Sequence, residues 1–229
     1  MTGVSDSARN GAGLVMVQAP RSAAAEAYRS LSTNIQFSSL DQDIKTLLVT
    51  SVSADEGKST VLANLAVTMA EGGRKIVVVD CDLRRPSLHT LFGLSGQPGL
   101  TSMVLDESLP PPLQATSVAN VGLIAAGPPP PNPSELLASA RFARVMAAIA
   151  ALGDLIVLDA PPVTAVSDAA ILATRVDGVL LVVDSGRTRR DAAKRAREQL
   201  ERVGARLLGV VLTNVKAEKG QNDYLSPST

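Results

Sequence analysis

Residues 47–62 read LLVTSVSADEGKSTVL: an apolar run, a turn that ends in Gly57, Lys58, Ser59 and Thr60, and a second apolar run. A strand, a turn of this kind and a helix, in that order, bring backbone N–H groups and the positive end of the helix dipole to one anion-sized space. In such a turn the lysine contacts the outer phosphates of a nucleotide and the serine hydroxyl binds Mg2+. The stretch therefore predicts a nucleotide site.

The turn departs from the pattern G-x-x-x-x-G-K-[ST] at its first glycine, where this chain has Val52. Asp55 stands two residues before Gly57, and aspartate is one of the few residues that tolerate a left-handed backbone. The loop can therefore still close around a phosphate group. The residues predicted to bind the nucleotide here are Asp55, Glu56, Gly57, Lys58, Ser59 and Thr60.

Two carboxylates, Asp80 and Asp82, follow the apolar run 75–79 in the sequence DCDLRR. Because side chains alternate along an extended chain, both are expected to point the same way from the end of a strand. Two carboxylates that face one phosphate site predict a shared metal ion and, for one of the two, the role of a base.

A third carboxylate, Asp159, ends the aliphatic run LIVLD. Four aliphatic residues followed by aspartate are typical of a buried strand that brings a carboxylate near Mg2+, often through water. Since Mg2+ keeps several waters, no dense set of protein ligands is needed. The predicted metal-binding residues are Ser59, Asp80, Asp82 and Asp159.

The composition limits the classes of function. Acidic and basic residues balance at 22 each, and only 2% of the 229 residues are aromatic, so nothing predicts nucleic-acid binding. The single cysteine, Cys81, fits a reducing compartment. No apolar run reaches the length of a membrane span, and the N-terminus lacks the pattern of a signal peptide, so a cytoplasmic location is expected.

Short aliphatic runs alternate with helical patterns along most of the chain. The predicted strands are Thr46–Thr50, Lys75–Asp80, Val121–Ala125, Leu155–Leu158, Val179–Val183 and Leu207–Leu212. The predicted helices are Ser22–Phe37, Ser59–Glu71, Ser134–Leu152, Ser167–Thr174 and Arg189–Val203. This alternation predicts an α/β fold with a doubly wound, mostly parallel sheet flanked by helices and a ligand at the carboxyl ends of the strands.

Three regions follow from this pattern: a disordered N-terminal segment (1–21), one P-loop domain (22–215) and a flexible C-terminal tail (216–229). Two segments keep two interpretations each. The run Pro128–Pro131 is favoured as a rigid connection over a ligand for an SH3-type domain. The segment Gly186–Glu201, which is basic at its start, is favoured as a solvated helix face over a docking patch for a membrane adaptor or anionic surface.

The motifs together resemble those of the bacterial tyrosine kinases of capsular and exopolysaccharide synthesis, which belong to the MinD- and ParA-like P-loop ATPases. The resemblance covers Glu26 to Val215. It rests on the Walker A motif Val52–Thr60, the Walker A′ motif VVVDCDLRRPSLHTLFGL, the Walker B motif LIVLDAPPV, and the segments AAGPPPPNPSELLASARF, DGVLLVVDSGRTRR and LLGVVLTNV.

The resemblance implies ATP-dependent phosphorylation of protein tyrosines, with ATP and Mg2+ as cofactors. It implies catalytic roles for Lys58, Asp80, Asp82 and Asp159, with one of the Walker A′ acids as the base. It also implies a contact of Asn214 with adenine, and it places Arg84 at the basic position after the Walker A′ acids, in the nucleotide site.

Two features depart from the family pattern. The N-terminal helix motif E-x-x-R-x-x-R, associated with ring-like self-association, reads Glu26, Arg29 and Ser32, so self-association is expected to be weakened. The family's C-terminal cluster of phosphorylated tyrosines is reduced to Tyr224, the predicted phosphoacceptor.

The resemblance thus implies an autophosphorylating tyrosine kinase at the inner face of the membrane. Its partners would be a transmembrane polysaccharide co-polymerase or adaptor and protein tyrosine substrates, with no nucleic acid. Two alternatives remain: a MinD- or ParA-like ATPase switch, and an ATP-binding scaffold without kinase activity. The switches carry a lysine four residues before the second P-loop glycine, where this chain has Ser53.

Overall fold

The computed structural model describes residues 14–38 and 42–215. The strands in this part of the chain are β1 (Thr46–Ser51), β2 (Ile76–Asp80), β3 (Gln114–Ala115), β4 (Val121–Ile124), β5 (Leu155–Asp159), β6 (Gly178–Asp184) and β7 (Leu207–Thr213). They form one sheet in the order β3-β4-β2-β5-β1-β6-β7. Every neighbouring pair is parallel except β3 with β4. The predicted doubly wound, mostly parallel sheet is confirmed.

The helices of the described residues cover both faces of this sheet. They are α1 (Val15–Gln18), α2 (Ala23–Ser38), α3 (Lys58–Ala70), α4 (Leu88–Phe92), α5 (Leu100–Leu105), α6 (Pro133–Ala138), α7 (Ala140–Ala150), α8 (Asp168–Ala173) and α9 (Arg190–Arg202). None of them is long and apolar enough to cross a membrane.

The sheet divides the core into two hydrophobic clusters because successive strand residues point to opposite faces. In β1, Leu48 belongs to the cluster under α5 to α9, whereas Leu47 and Val49 belong to the cluster under α2 to α4. Both sets of side chains are buried. Burial on both faces explains why the strands read as continuous aliphatic runs.

Helix α3, which begins at the phosphate loop, is enclosed on nearly all sides. All its residues from Val61 to Ala70 are buried. It lies between the sheet and α2, which packs on its outer side. A helix that is apolar all round requires such a cover, so α2 stabilises the element that positions Lys58 and Ser59.

The N-terminal segment that was predicted to be disordered, residues 1–21, extends too far along the chain. Residues 14–21 are described by the structure, and Val15–Gln18 forms a short helix. Leu14 and Met16 are buried, and the Met16 N–H donates to Asn64 Oδ1 at 3.1 Å. Two apolar side chains that contact α3 explain why this stretch is ordered. Residues 1–13 and the predicted tail 216–229 lie outside the described residues.

The single helix predicted over Ser134–Leu152 is in fact two helices, α6 and α7. The chain leaves helical geometry at Ser139, which has φ −66° and ψ 155°. Its hydroxyl accepts a hydrogen bond from the Phe142 N–H at 3.1 Å, so Ser139 caps the second helix. The proline run leads directly into α6, which begins at Pro133.

The basic helix α9 carries a ladder of ion pairs on its exposed surface. Arg195 pairs with Asp191 at 3.1 Å, and Arg197 pairs with Glu201 at 2.6 Å, both four residues apart. Each exposed pair of this kind contributes at most about 0.5 kcal/mol. The contacts agree with the favoured interpretation of a solvated surface.

A glycine crossing next to the proline run gives a test of the fold. A Cβ on Gly99 would lie 2.3 Å from the Ala125 carbonyl oxygen and 2.3 Å from the Gly127 nitrogen. Both are backbone atoms that cannot move aside. We expect Gly99→Ala to lower the free energy of unfolding by about 2 kcal/mol or more, measured by urea denaturation.

The matched control for this change is Gly72→Ala, because a Cβ on Gly72 meets no atom within 4 Å. We expect Gly72→Ala to leave the urea midpoint nearly unchanged. Equal stability of the two variants would contradict the close backbone crossing at Gly99.

Candidate active site

Three neighbouring strand ends bring the predicted motifs together. The strands β2, β5 and β1 are adjacent and parallel, with Asp80 paired with Asp159 and Val49 paired with Asp159 in the ladders. The Walker A′ segment, the Walker B aspartate and the phosphate loop therefore leave the sheet at one edge. This is the edge where doubly wound sheets bind ligands.

The phosphate loop has the predicted shape. Asp55 adopts a left-handed backbone with φ 61°, and Gly57, the residue before α3, has φ 81°. Lys58 is the first residue of α3, so the loop delivers the chain directly to a helix N-terminus. Residues 54–60 line a cavity of about 380 Å³ at this edge.

Glu56 explains how the loop closes without its first glycine. Its carboxylate accepts a hydrogen bond from the Val52 N–H at 2.9 Å and another from the Thr188 hydroxyl. Val52 is buried in the core, and Glu56 is only 3% exposed. A side-chain carboxylate thus fixes the entry of the loop, and both its oxygens are engaged by protein donors. The sequence predicted Glu56 as a nucleotide-binding residue, and the structure leaves only its backbone for that contact.

Lys58, Ser59 and Asp159 form a hydrogen-bonded cluster at the cavity, in which Lys58 and Asp159 are buried. The Lys58 ammonium donates to Asp159 Oδ1 at 2.6 Å, and the Ser59 hydroxyl donates to Asp159 Oδ2 at 2.6 Å. Burial lowers the pKa of Lys58, but the charge of Asp159 and this hydrogen bond outweigh it, so the pKa is raised. Burial raises the pKa of Asp159, while Lys58 opposes the rise.

Asp80 is fully buried and holds the backbone of the Walker A′ turn. Its carboxylate accepts hydrogen bonds from the N–H groups of Asp82, Ser87 and Leu88, at 3.2, 3.0 and 3.1 Å. Burial and the neighbouring charge of Asp159 raise the pKa of Asp80 to about 7. Asp80 therefore fixes the shape of this turn.

Asp82, by contrast, lines the phosphate cavity. Its Oδ2 lies 3.6 Å from Lys58 Nζ, and its Oδ1 accepts from the Arg85 N–H at 3.0 Å. The sequence predicted that Asp80 and Asp82 point the same way. The structure gives them different surroundings, because β2 ends at Asp80 and the backbone turns before Asp82.

Arg84 was predicted in the nucleotide site, but its guanidinium is held elsewhere. It donates to both oxygens of the buried Asp168, at 2.8 and 3.2 Å, and to the Ser134 hydroxyl at 3.2 Å. The next residue, Arg85, lines the phosphate cavity instead. Ser87, whose hydroxyl donates to Ser59 Oγ at 3.0 Å, lines it too. Sequence reasoning missed both, although they lie within five residues of Asp82.

Asn214, the predicted adenine contact, lies outside the phosphate cavity. Its amide donates to Asp184 Oδ2 at 2.7 Å. It lines a groove of about 740 Å³ between α2 and β7. This groove adjoins the phosphate loop, because Thr213, which also lines it, donates to the Glu56 carbonyl oxygen at 2.9 Å.

The charged residues of the N-terminal helix motif form ion pairs within the chain. Arg29 contacts Glu26 at 3.3 Å and Glu71 at 3.4 Å. Ser32 is only 5% exposed, so it faces the protein body. Tyr28 is half-buried, and burial raises the pKa of its hydroxyl despite a hydrogen bond with Asn64. Tyr224 lies outside the described residues.

The atoms that could bind a metal ion at the cavity are oxygens of a few separate side chains. Within residues 14–38 and 42–215, no group of three or more His, Cys, Asp or Glu side chains is arranged to hold a metal ion. The Ser59 hydroxyl and the Asp159 carboxylate nevertheless meet at the base of the cavity. Such a sparse donor set suits Mg2+ bound partly by phosphates and water, and not a structural metal cage.

Comparisons with known proteins agree with this geometry. The family model described as ParA, NUBPL iron-transfer P-loop NTPase, matches residues 44–223. The chain is 39% identical to the tyrosine-protein kinase YwqD of Bacillus subtilis over 207 residues, which is 90% of this chain and 87% of YwqD. It is 36% identical to the putative tyrosine-protein kinase CapB of Staphylococcus aureus over 90% of each chain.

A solved structure extends the comparison to three dimensions. The crystal structure of the chimerical protein CapA2B2 superimposes with a TM-score of 0.85 at 35% identity. The match covers 90% of this chain and 91% of that one. With its P-loop, its two acidic motifs and these relatives, the chain belongs to the bacterial tyrosine-protein kinases, within the ParA family of P-loop NTPases.

Proposed function

We propose that this chain is an ATP-dependent, autophosphorylating protein-tyrosine kinase that acts in capsular or exopolysaccharide synthesis. One observation carries the proposal: a phosphate loop and the carboxylate of Asp82 line the same cavity. The first can bind the phosphate donor, and the second can take a proton from an acceptor hydroxyl. The tyrosine-protein kinases to which the chain is similar over nine-tenths of its length support tyrosine as the acceptor.

Lys58 and the loop N–H groups are proposed to hold the phosphates of ATP. Lys58 is paired with Asp159 at 2.6 Å. Phosphate oxygens would offer the ammonium group a second anionic partner, so that its charge stays compensated. Charge-assisted contacts of this kind are about twice as strong as those between neutral groups.

Ser59 and Asp159 are proposed to hold Mg2+, one directly and the other directly or through water. When bound, the ion would neutralise part of the charge of the phosphates. Asp80 was also predicted as a metal ligand, but its oxygens already accept three backbone N–H groups. We therefore assign Asp80 to positioning: it keeps the turn in the shape that places Asp82 at the cavity.

Asp82 is proposed as the base that accepts the proton of the tyrosine hydroxyl. It lines the same cavity as the phosphate loop, and its carboxylate accepts a hydrogen bond from the Arg85 N–H at 3.0 Å. A positioned base contributes typically about 10²- to 10⁴-fold to the rate. The role needs one oxygen that can take up a proton, and Oδ2, which lies 3.6 Å from Lys58 Nζ, is the oxygen that does not accept the Arg85 N–H.

Tyr224 is proposed as the acceptor in autophosphorylation. The other tyrosine, Tyr28, packs against the core beside α3 and has a raised pKa, so its hydroxyl is poorly placed for transfer. Asn214 is proposed to contact adenine from the rim of the groove between α2 and β7.

The proposed partner is a transmembrane polysaccharide co-polymerase or adaptor that holds this chain at the inner face of the membrane. Self-association is proposed to be weak. Ser32 is buried, and Arg29 already contacts Glu26 and Glu71 within the chain, so this helix offers few free charges to a second copy.

We predict that Lys58→Met weakens ATP binding about 100-fold, or about 2.8 kcal/mol, because the charge-assisted contact with phosphate is lost. Titration calorimetry measures the change. Lys75→Met, at an exposed lysine outside the cavity, is the control and should bind like the parent. Since the change also removes the cation of Asp159, circular dichroism should accompany the titration. Unchanged affinity in a folded Lys58→Met protein would place the nucleotide elsewhere.

We predict that Asp82→Asn keeps ATP affinity within about threefold but slows phosphotransfer to tyrosine by about 10²- to 10⁴-fold. Asparagine preserves the shape of the side chain and its acceptor for the Arg85 N–H, and it removes only the basic oxygen. Calorimetry and transfer of labelled phosphate to a tyrosine peptide give the two quantities. Survival of transfer would exclude Asp82 as the base, whereas hydrolysis without any transfer in the parent protein would favour the ATPase switch.

A further inference from the structure

Arg85 is one of the charged residues at the phosphate cavity. Its side chain lines the cavity together with Asp82, Lys58 and Ser59. Its own N–H donates to Asp82 Oδ1 at 3.0 Å, so one turn positions both the Asp82 carboxylate and the Arg85 guanidinium. Arg85 is exposed, and it forms no ion pair with any residue that the structure describes.

The neighbouring arginine, Arg84, ties this turn to the protein body. Arg84 forms a two-pronged contact with Asp168, which is fully buried at the start of α8. The Ser134 hydroxyl donates to the same carboxylate at 2.5 Å. The backbone after Asp82 is therefore anchored to two helices on the far side of the turn. With Arg84 fixed there, Arg85 extends toward the cavity.

The charges around the cavity call for a second cation. Lys58 is already compensated by Asp159 at 2.6 Å and faces Asp82 at 3.6 Å. Asp80 adds a further carboxylate, which is fully buried beside Asp159. The fixed side-chain charge around the phosphate site is thus negative before any nucleotide arrives. Among the described residues that line this cavity, Arg85 is the arginine.

Phosphoryl transfer concentrates negative charge at this place. Charge spreads over the three equatorial oxygens of the phosphoryl group as it leaves the nucleotide, and positioned cations lower the barrier by stabilising it. The phosphate loop lines the cavity with Lys58 and Ser59. The turn that carries Asp82 lines the same cavity, so Arg85 stands at the cavity together with the carboxylate that is proposed to receive the tyrosine proton.

We propose that Arg85 is a catalytic residue whose guanidinium contacts the transferring phosphoryl group and stabilises its charge more strongly during transfer than in the bound nucleotide. The inference rests on the proposed function. In the step, the bond from the γ-phosphorus to the bridging oxygen of ADP breaks and a bond to the tyrosine oxygen forms. ADP leaves, the tyrosine proton passes to Asp82, and Arg85 gains and loses no proton.

The test compares nucleotide affinity with affinity for a mimic of the transferring group. Titration calorimetry measures the binding of ADP alone and of ADP with aluminium fluoride, both with Mg2+, to the parent, Arg85→Gln and Arg85→Lys proteins. For Arg85→Gln we expect ADP affinity within about twofold of the parent and binding of the fluoride complex about 100-fold weaker. Arg85→Lys should fall between the two, because lysine keeps the charge but not the planar guanidinium.

Single-turnover transfer from labelled ATP to a tyrosine peptide supplies the matching rate. We expect Arg85→Gln to slow it about 100-fold at saturating ATP, with little change in the ATP concentration needed for saturation. Arg190→Gln is the matched control, since it removes an equally exposed arginine that does not line the cavity. It should bind and react like the parent.

The outcomes separate this inference from the proposed function. If Arg85→Gln binds the fluoride complex as the parent does, the inference is overturned. If ADP and the fluoride complex weaken equally, Arg85 is an ordinary nucleotide ligand and the inference is also overturned. If the parent hydrolyses ATP without transfer to tyrosine, the kinase proposal fails, yet selective loss of fluoride binding still supports Arg85. A parent protein that neither transfers nor hydrolyses would overturn both.

Discussion

The contact between Lys58 and Asp159, at 2.6 Å and almost without solvent, is the constraint on which the site depends. An isolated charge in such a place costs several kcal/mol, roughly, so each residue requires the other. Lys58 begins α3 after β1, and Asp159 ends β5, the neighbouring strand. The pairing of these two strands therefore fixes the phosphate loop against the Walker B aspartate to within the length of a hydrogen bond.

The acids of the Walker A′ segment depend on the same arrangement. Asp80 ends β2 on the other side of β5, and the resulting proximity to Asp159 contributes to its raised pKa. Three backbone N–H groups compensate its burial and, in doing so, fix the turn that follows. That turn fixes the positions of Asp82 and Arg85. The buried carboxylate of Asp80 thus determines where Asp82, which is itself largely buried, and the exposed Arg85 face the cavity.

Much of this arrangement is predictable from the sequence because the decisive signals are local. The strands appear as aliphatic runs, and the order of strand, turn and helix around Gly57 and Lys58 predicts a phosphate loop whatever the rest of the chain does. The sequence indicated that Asp55 could tolerate a left-handed backbone, and the structure gives it one, with φ 61°. The short helices α4 and α5 and the two-residue strand β3 carry no such periodic signal and were missed.

The features that sequence reasoning missed are set by long-range contacts. Nothing near Arg84 indicates that its partner is Asp168, 84 residues away, and so the sequence could not tell which of two adjacent arginines faces the cavity. In the same way, the role of Glu56 depends on Thr188, which approaches only when β6 pairs with β1. The alternation of side chains along an extended chain wrongly predicted that Asp80 and Asp82 point the same way, because the strand ends between them.

The most direct test of the account is to ask where the phosphate goes. The purified protein is incubated with γ-labelled ATP and Mg2+, with and without a tyrosine-containing acceptor peptide, and the label is assigned by phosphoamino-acid analysis. A cavity that unites a phosphate loop with a carboxylate base predicts that label accumulates as phosphotyrosine. Label found only in inorganic phosphate, or only on serine and threonine, would contradict the account.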